Sequence, residues 1–146
     1  MMWYEWFFSL KSVAPVLQMY YNKGMIKNVL VVDDDLNVRT ALARELRFNG
    51  FNAIPAETGL MALNKLEKQD VDVVITDIRM PVMDGVEFIK QVVTEHPAIQ
   101  IIIISGTVTK DVIAAIKPYR DNILDVMAKP WDADNLIALL KAATSW

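Results

Sequence analysis

Asp77 follows an apolar run, Val73-Val74-Ile75, at the point where the turn-forming sequence Ile78-Arg79-Met80-Pro81-Val82-Met83-Asp84-Gly85 begins. A carboxylate placed there is carried by a rigid element and faces a loop whose backbone can meet a ligand, which makes it a candidate nucleophile. Asp33-Asp34-Asp35 follows a second apolar run, Ser105-Gly106 a third and Lys129-Pro130 a fourth. Two carboxylates about 4 Å apart repel by roughly 4 kcal/mol at an effective dielectric near 20, and a hard divalent cation relieves that repulsion. Mg2+ suits these donors, because it takes oxygen ligands, keeps several waters and is commonly held by one or two carboxylates plus a phosphate. Asp33, Asp34 and Asp77, with a main-chain carbonyl just past Asp77, are the candidate ligands. Beside such a cation Asp77 can attack phosphorus and carry an acyl phosphate. Lys129 and the Ser105 hydroxyl would then answer the charge on the phosphoryl oxygens.

Each piece has a plainer reading by itself. Acidic residues at the start of a helix cap its free amides and meet the positive end of its dipole. Asp35 is assigned that role, and Asp33 and Asp34 would share it but for Asp77. An isolated Ser-Gly is a turn and an isolated Lys-Pro a loop; the imide bond before Pro130 is a candidate for the cis form, which would fix the direction of Lys129.

Three nearly continuous apolar runs rich in β-branched residues, Val29–Val32, Val71–Ile75 and Ile99–Ile104, mark strands covered on both faces. Weaker strands are expected at Phe51–Ile54 and Ile123–Met127. Between them lie helical patterns: Val38, Leu42 and Leu46; Leu60, Leu63 and Leu66; Val86, Ile89 and Val93; Val112 and Ile116; Leu136, Leu139 and Leu140. Five strands alternating with five helices over short connections call for an α/β fold, a doubly wound parallel sheet with helices on both faces. The flavodoxin-like order 2-1-3-4-5 is the natural solution, with its ligand site beyond the carboxyl ends of the first and third strands. The carboxylates follow those two strands.

The chain has 146 residues, room for one ordinary domain. A net charge of -3 and scattered Lys and Arg argue against direct nucleic-acid binding. Without Cys there are no disulfides or thiolate sites, which fits a reducing cytoplasm. The single His, His96, cannot build a multi-histidine metal site and is read as a solvated helix C-terminal residue.

Residues 1–24 stand apart. Trp3, Tyr4, Trp6, Phe7, Phe8, Tyr20 and Tyr21 crowd this segment, while Glu5, Lys11 and Gln18 argue against a signal peptide or a membrane span. It reads as an upstream extension preceding a start at Met25, or as a short amphipathic helix, broken by Pro15, that meets a partner or membrane surface. Residues 25–146 form the expected domain, ending about where a fifth helix should end and leaving no room for an output domain.

Val31-Val32-Asp33-Asp34-Asp35 with Arg39 following, Thr76-Asp77-Ile78-Arg79-Met80-Pro81-Val82-Met83-Asp84-Gly85, Ile104-Ser105-Gly106 and Ala128-Lys129-Pro130-Trp131 strongly resemble a response-regulator receiver domain over residues 27 to about 144. The resemblance implies that Asp77 accepts a phosphoryl group from a histidine kinase or phosphotransfer protein. It implies that Asp34 binds Mg2+ directly, Asp33 largely through water, and Arg79 by its main-chain carbonyl. Ser105 and Lys129 would take the switch and phosphate-pairing roles, with Arg79 and Thr107 tuning access of hydrolytic water. The protein would be a stand-alone cytoplasmic switch, a monomer or a weak phosphorylation-linked dimer, acting on an unknown downstream protein and catalysing only its own phosphorylation and dephosphorylation.

Two positions depart from the pattern. Val126 occupies a position where receivers commonly carry Tyr or Phe, and Lys117-Pro118-Tyr119 should end the fourth helix early. Both lie on the face receivers use for output; Tyr119 or Trp131 could stand in as reporter, although packing is the plainer role for Trp131. Two other functions compete. One is a haloacid-dehalogenase-type phosphohydrolase with Asp33 as nucleophile, which leaves Asp77 unexplained; the other is a degenerate receiver used only for binding.

Overall fold

The computed structural model describes residues 27–144. The expectations for residues 1–24, including the start at Met25, lie outside the described residues.

Five strands, β1 (Asn28–Val32), β2 (Asn52–Ala56), β3 (Val73–Thr76), β4 (Gln100–Ser105) and β5 (Ile123–Ala128), form one parallel sheet in the order β2-β1-β3-β4-β5. The helices are α1 (Leu36–Phe48), α2 (Gly59–Lys68), α3 (Gly85–Glu95), α4 (Lys110–Ile116) and α5 (Ala133–Thr144), with a 3-10 helix at Lys117–Asn122. This is the flavodoxin-like arrangement expected from the alternation of patterns.

Alternate residues of each strand point to opposite faces and so build two cores. On one face Leu30, Val32, Val74, Ile101 and Ile103 pack with Ala62 and Leu66 of α2, with Phe88, Ile89 and Val92 of α3, and with Ile116 of α4. On the other, Val29, Val31, Val73, Ile75, Ile102 and Ile104 meet Leu42 and Leu46 of α1 and Leu136 and Leu140 of α5. A fully buried side chain of this size contributes on the order of 1.5–3 kcal/mol by leaving water. Burial on both faces explains why these strands read as unbroken apolar runs.

Helix starts are fixed by side chains. Asp35 accepts from the Asn37 and Val38 N–H groups, Thr58 from Met61, Asp84 from Glu87 and Thr109 from Val112. Each acceptor satisfies a first-turn amide that has no partner within its helix. His96 closes α3, its N–H donating to Val92 O at 2.7 Å. Pro118 follows the end of α4 at Ile116, where an early stop was expected.

Two strand boundaries and one helix face differ notably from the sequence reading. The strand expected at Phe51–Ile54 runs on to Ala56 through Pro55. Only β1 pairs with β2, so the ring and carbonyl of Pro55 face the open edge, where its missing N–H leaves no ladder bond unmade. That edge is also occupied: Arg47 Nη2 donates to Ala53 O at 3.0 Å and Lys65 Nζ to Pro55 O at 2.6 Å. The β3 strand begins at Val73 rather than Val71, because Asp72 turns its carboxylate to the Asn28 N–H. In α2 the apolar Leu60 is 51% exposed, while the small Ala62 takes a buried place.

Candidate functional site

The parallel register lines up the ends of β1 and β3, with Val32 opposite Thr76, so Asp33 and Asp77 emerge side by side. Asp77 N donates to Val32 O at 3.2 Å, and Asp33 N donates to Ala56 O at 3.2 Å on its other side. Carboxylate oxygens of Asp33, Asp34 and Asp77 all lie within 4.8 Å of one another. Asp33 and Asp77 are buried and Asp34 is exposed.

Lys129 joins the first and third carboxylates. Its Nζ lies 2.7 Å from Asp33 Oδ2 and 2.7 Å from Asp77 Oδ2. The other oxygens are held by backbone. Asp77 Oδ1 accepts from Ile78 N at 2.6 Å and Arg79 N at 3.3 Å, and Asp33 Oδ1 accepts from Asp35 N at 2.9 Å. Burial raises the pKa of Asp33 against the lowering pull of Lys129 and the Asp35 amide, with the Asp77 charge adding to the rise. Burial alone would lower Lys129; hydrogen bonds and charge from Asp33 and Asp77 outweigh it and raise the ammonium's pKa. Lys129 is thus favoured as an ammonium, one cation set among three carboxyl groups.

Ser105 ends β4 and is buried; its Oγ donates to Thr107 O at 3.2 Å and accepts from Thr107 N at 3.3 Å. Thr107 is thus tied in through its main chain. Lys129 N donates to Ser105 O at 3.0 Å, joining the ends of β4 and β5, and the Lys129-Pro130 peptide is cis. Two residues on, Trp131 packs on the core of α1 and α5 and donates from Nε1 to Glu45 Oε2 at 3.4 Å. Val126 and Tyr119 are both partly buried against the opposite core.

The sequence had marked Asp33, Asp34, Asp77, Arg79, Ser105, Thr107 and Lys129, and all seven stand at the carboxyl ends of β1, β3, β4 and β5. Ion pairs bring Asp33, Asp77 and Lys129 together. Arg79 reaches Asp77 by its N–H while its side chain is exposed. Among the described residues, nothing hydrogen-bonds to the Asp34 carboxylate, which lines an open cleft of about 570 Å³ with Arg79, Met80, Pro81 and Asp84.

Oxygen donors alone, crowded and partly buried, fit a hard divalent cation such as Mg2+. Three contributions were missed in the sequence. Arg39 Nη1 donates to Asp33 O at 2.7 Å, a reach readable from an Arg one turn into the helix that Asp35 caps. Thr76 Oγ1 donates to Asp77 O at 2.9 Å. Gly85 N donates to Ile78 O at 2.7 Å, and a Cβ there would stand 2.6 Å from Ile78 Cα; the Met-Asp-Gly sequence was its signal.

Comparisons with known proteins agree with this geometry. Residues 29–141 match the family model described as the response regulator receiver domain. The chain is 38% identical over 117 residues to the DNA-binding transcriptional regulator NtrC of Escherichia coli K12, a match covering 80% of this chain and 24% of that protein. It is 38% identical over 116 residues to the transcriptional regulatory protein ZraR of the same strain, covering 80% and 26%. The chain thus spans about a quarter of the length of these curated relatives. Among solved structures, a response regulator receiver protein from Pseudomonas putida superposes with a TM-score of 0.73 at 31% identity, covering 80% of this chain and 97% of that one. The chemotaxis protein CheY4 of Vibrio cholerae gives a TM-score of 0.73 at 28% identity, covering 81% and 98%.

Proposed function

The chain belongs to the response-regulator receiver family of two-component signalling, and on that premise we propose that it accepts a phosphoryl group on Asp77 in a Mg2+-dependent reaction. The observation that carries this reading is the shared ammonium, with Lys129 Nζ 2.7 Å from both Asp33 and Asp77. It marks Asp77 as a carboxylate whose charge is balanced on one side and whose other oxygen is oriented by two backbone N–H groups.

The donor is a phosphohistidine of a kinase or phosphotransfer protein. A carboxylate oxygen of Asp77 forms the bond to phosphorus as the P–N bond breaks, and the imidazole leaves with the electron pair and takes a proton from solvent. Asp33, Asp34, Asp77 and the Arg79 main-chain carbonyl would hold Mg2+, which offsets the charge gathered on the carboxylates and phosphoryl oxygens. Lys129 shifts from pairing Asp77 to pairing a phosphoryl oxygen. Ser105 gives up its internal bond to Thr107 O and donates its hydroxyl hydrogen instead. Reversal to the resting state is hydrolysis: water attacks phosphorus, the P–O bond breaks and the Asp77 carboxylate is restored, with Arg79 and Thr107 at the rim governing water entry.

Phosphorylation then alters which protein surfaces the domain meets, and we place this switching in the cytoplasm. Among the described residues no helix is long and apolar enough to cross a membrane. The phosphohydrolase alternative required Asp33 as the nucleophile. Asp33 and Asp77 are held alike, each through both carboxylate oxygens, and the match of residues 29–141 to the receiver-domain family supports Asp77 as the nucleophile.

The reading is tested with acetyl phosphate and Mg2+. Intact-mass analysis should show one added phosphoryl group on the wild type and none on Asp77→Asn; equal labelling of the two would overturn the assignment.

A further inference from the structure

Asp34 differs from its two neighbours in how it is positioned. Asp33 and Asp77 are clamped through both carboxylate oxygens, whereas the Asp34 side chain is exposed and has no hydrogen bond or ion pair among the described residues. Its position therefore depends on the backbone that carries it, and the peptide group immediately before it is that of Asp33. The Asp33 carbonyl is held by a single side chain, Arg39, whose Nη1 donates to it at 2.7 Å. Arg39 is in turn seated by its own N–H on Asp35 O at 3.0 Å, one turn into α1.

We infer that Arg39 is a positioning residue for the cation site, fixing the Asp33–Asp34 peptide and through it the direction of the Asp34 carboxylate. The inference rests on the reading of Asp33, Asp34 and Asp77 as a Mg2+ site. Two effects of the guanidinium oppose each other. Its charge disfavours a nearby cation, but it is partly exposed and screened by water and salt. Its hydrogen bond orients a ligand, and groups that stand behind metal ligands commonly change affinity by about 10–100-fold when removed. The orienting effect is therefore the larger.

The test is an amide chemical-shift titration of the full chain with MgCl2, comparing wild type, Arg39→Met and Arg39→Lys. Arg39→Met keeps the apolar stem of the side chain but removes charge and donor, and should weaken Mg2+ binding about tenfold. Arg39→Lys keeps a charged donor and should return to within about threefold of wild type. Hydrogen exchange without metal gives a second readout: the Asp35 amide, bonded to Asp33 Oδ1, should exchange faster in Arg39→Met, while core amides of β4 keep their protection. Circular dichroism without metal checks the fold; if Arg39→Met is unfolded, Arg39→Gln, too short to span the gap, replaces it with the same expected weakening. Affinity that is unchanged or tighter in the donor-free variant overturns the inference. A wild type that does not respond to Mg2+ overturns the underlying site reading as well, so the two failures are distinct.

Discussion

Gly85 lies against the backbone of Asp77: its N–H donates to Ile78 O at 2.7 Å, and a side chain on it would run into the Asp77 carbonyl and Ile78 Cα. The first turn of α3 is thereby packed onto the turn that presents the acceptor carboxylate. No flexible side chain stands in between to give way. We expect Gly85→Ala to lower unfolding free energy by about 3 kcal/mol, near the upper range for forcing a methyl into a packed site, and to slow labelling by acetyl phosphate. Urea unfolding and intact mass measure the two effects; a shift below about 0.5 kcal/mol would show that the turn yields.

Lys129 balances two carboxylates at once, so Lys129→Met should be costly. Its side chain is 21% exposed, and removing one partner of a largely buried pair costs about 3 kcal/mol or more. Added Mg2+ should recover part of that loss, because the cation neutralises the same oxygens. The variant's melting temperature should rise more with MgCl2 than that of wild type, and an equal rise in the two would contradict this account.

The pKa directions set slopes of the same sign at the two ends of the pH range. Lys129 titrates above its ordinary 10.5 in the folded chain, so its stabilising contribution is complete below 10.5 and disappears as pH climbs through the folded value. Asp33 titrates above its ordinary 3.8, so the folded state holds that proton longer and stability falls as pH rises from 3.8 to the folded value. Subtracting the stability curve of Lys129→Met from that of wild type should isolate the alkaline slope. The same subtraction with Asp33→Asn should isolate the acid one, of the same sign.

Val82 has a φ of 72° and is 83% exposed. A β-branched residue in the left-handed region is strained by about 1–3 kcal/mol, and at this exposure little packing compensates. Asn adopts that conformation readily, so Val82→Asn should stabilise the domain by about 1 kcal/mol. Thermal and urea unfolding would register it, and a loss of stability would mean that Val82 makes an apolar contact worth more than the strain.

Much of this was legible because burial on both faces leaves a simple signature. The runs Val29–Val32, Val71–Ile75 and Ile99–Ile104 could only be covered strands, and the carboxylates following the first two had to meet once the sheet was parallel. The elements that escaped are governed by contacts distant in sequence or by geometry rather than residue type. Pro55 looked like a strand end, since nothing local says that β2 is an edge. Leu60 was read as a core position but is half exposed, and Ala62 is buried instead, in the cluster with Leu30 and Val32 of β1. Arg39 was visible as part of a motif and its place one turn into α1 signals the reach, but which main-chain carbonyl it meets is marked by no residue type. Phe88 is fully buried in α3 although the pattern read there picked out Val86, Ile89 and Val93.

The occupied margin of β2 limits how this domain can recruit others. A strand can be extended by an incoming peptide only where its outward carbonyls and amides are free to form a ladder. Along β2 one outward amide is absent at Pro55, and the carbonyls of Ala53 and Pro55 are taken by Arg47 and Lys65. On that flank, recognition must pass through side chains projecting from helices and loops. Specificity there is accordingly written in residue identity, which point substitutions can retune without disturbing the hydrogen-bonded sheet beneath.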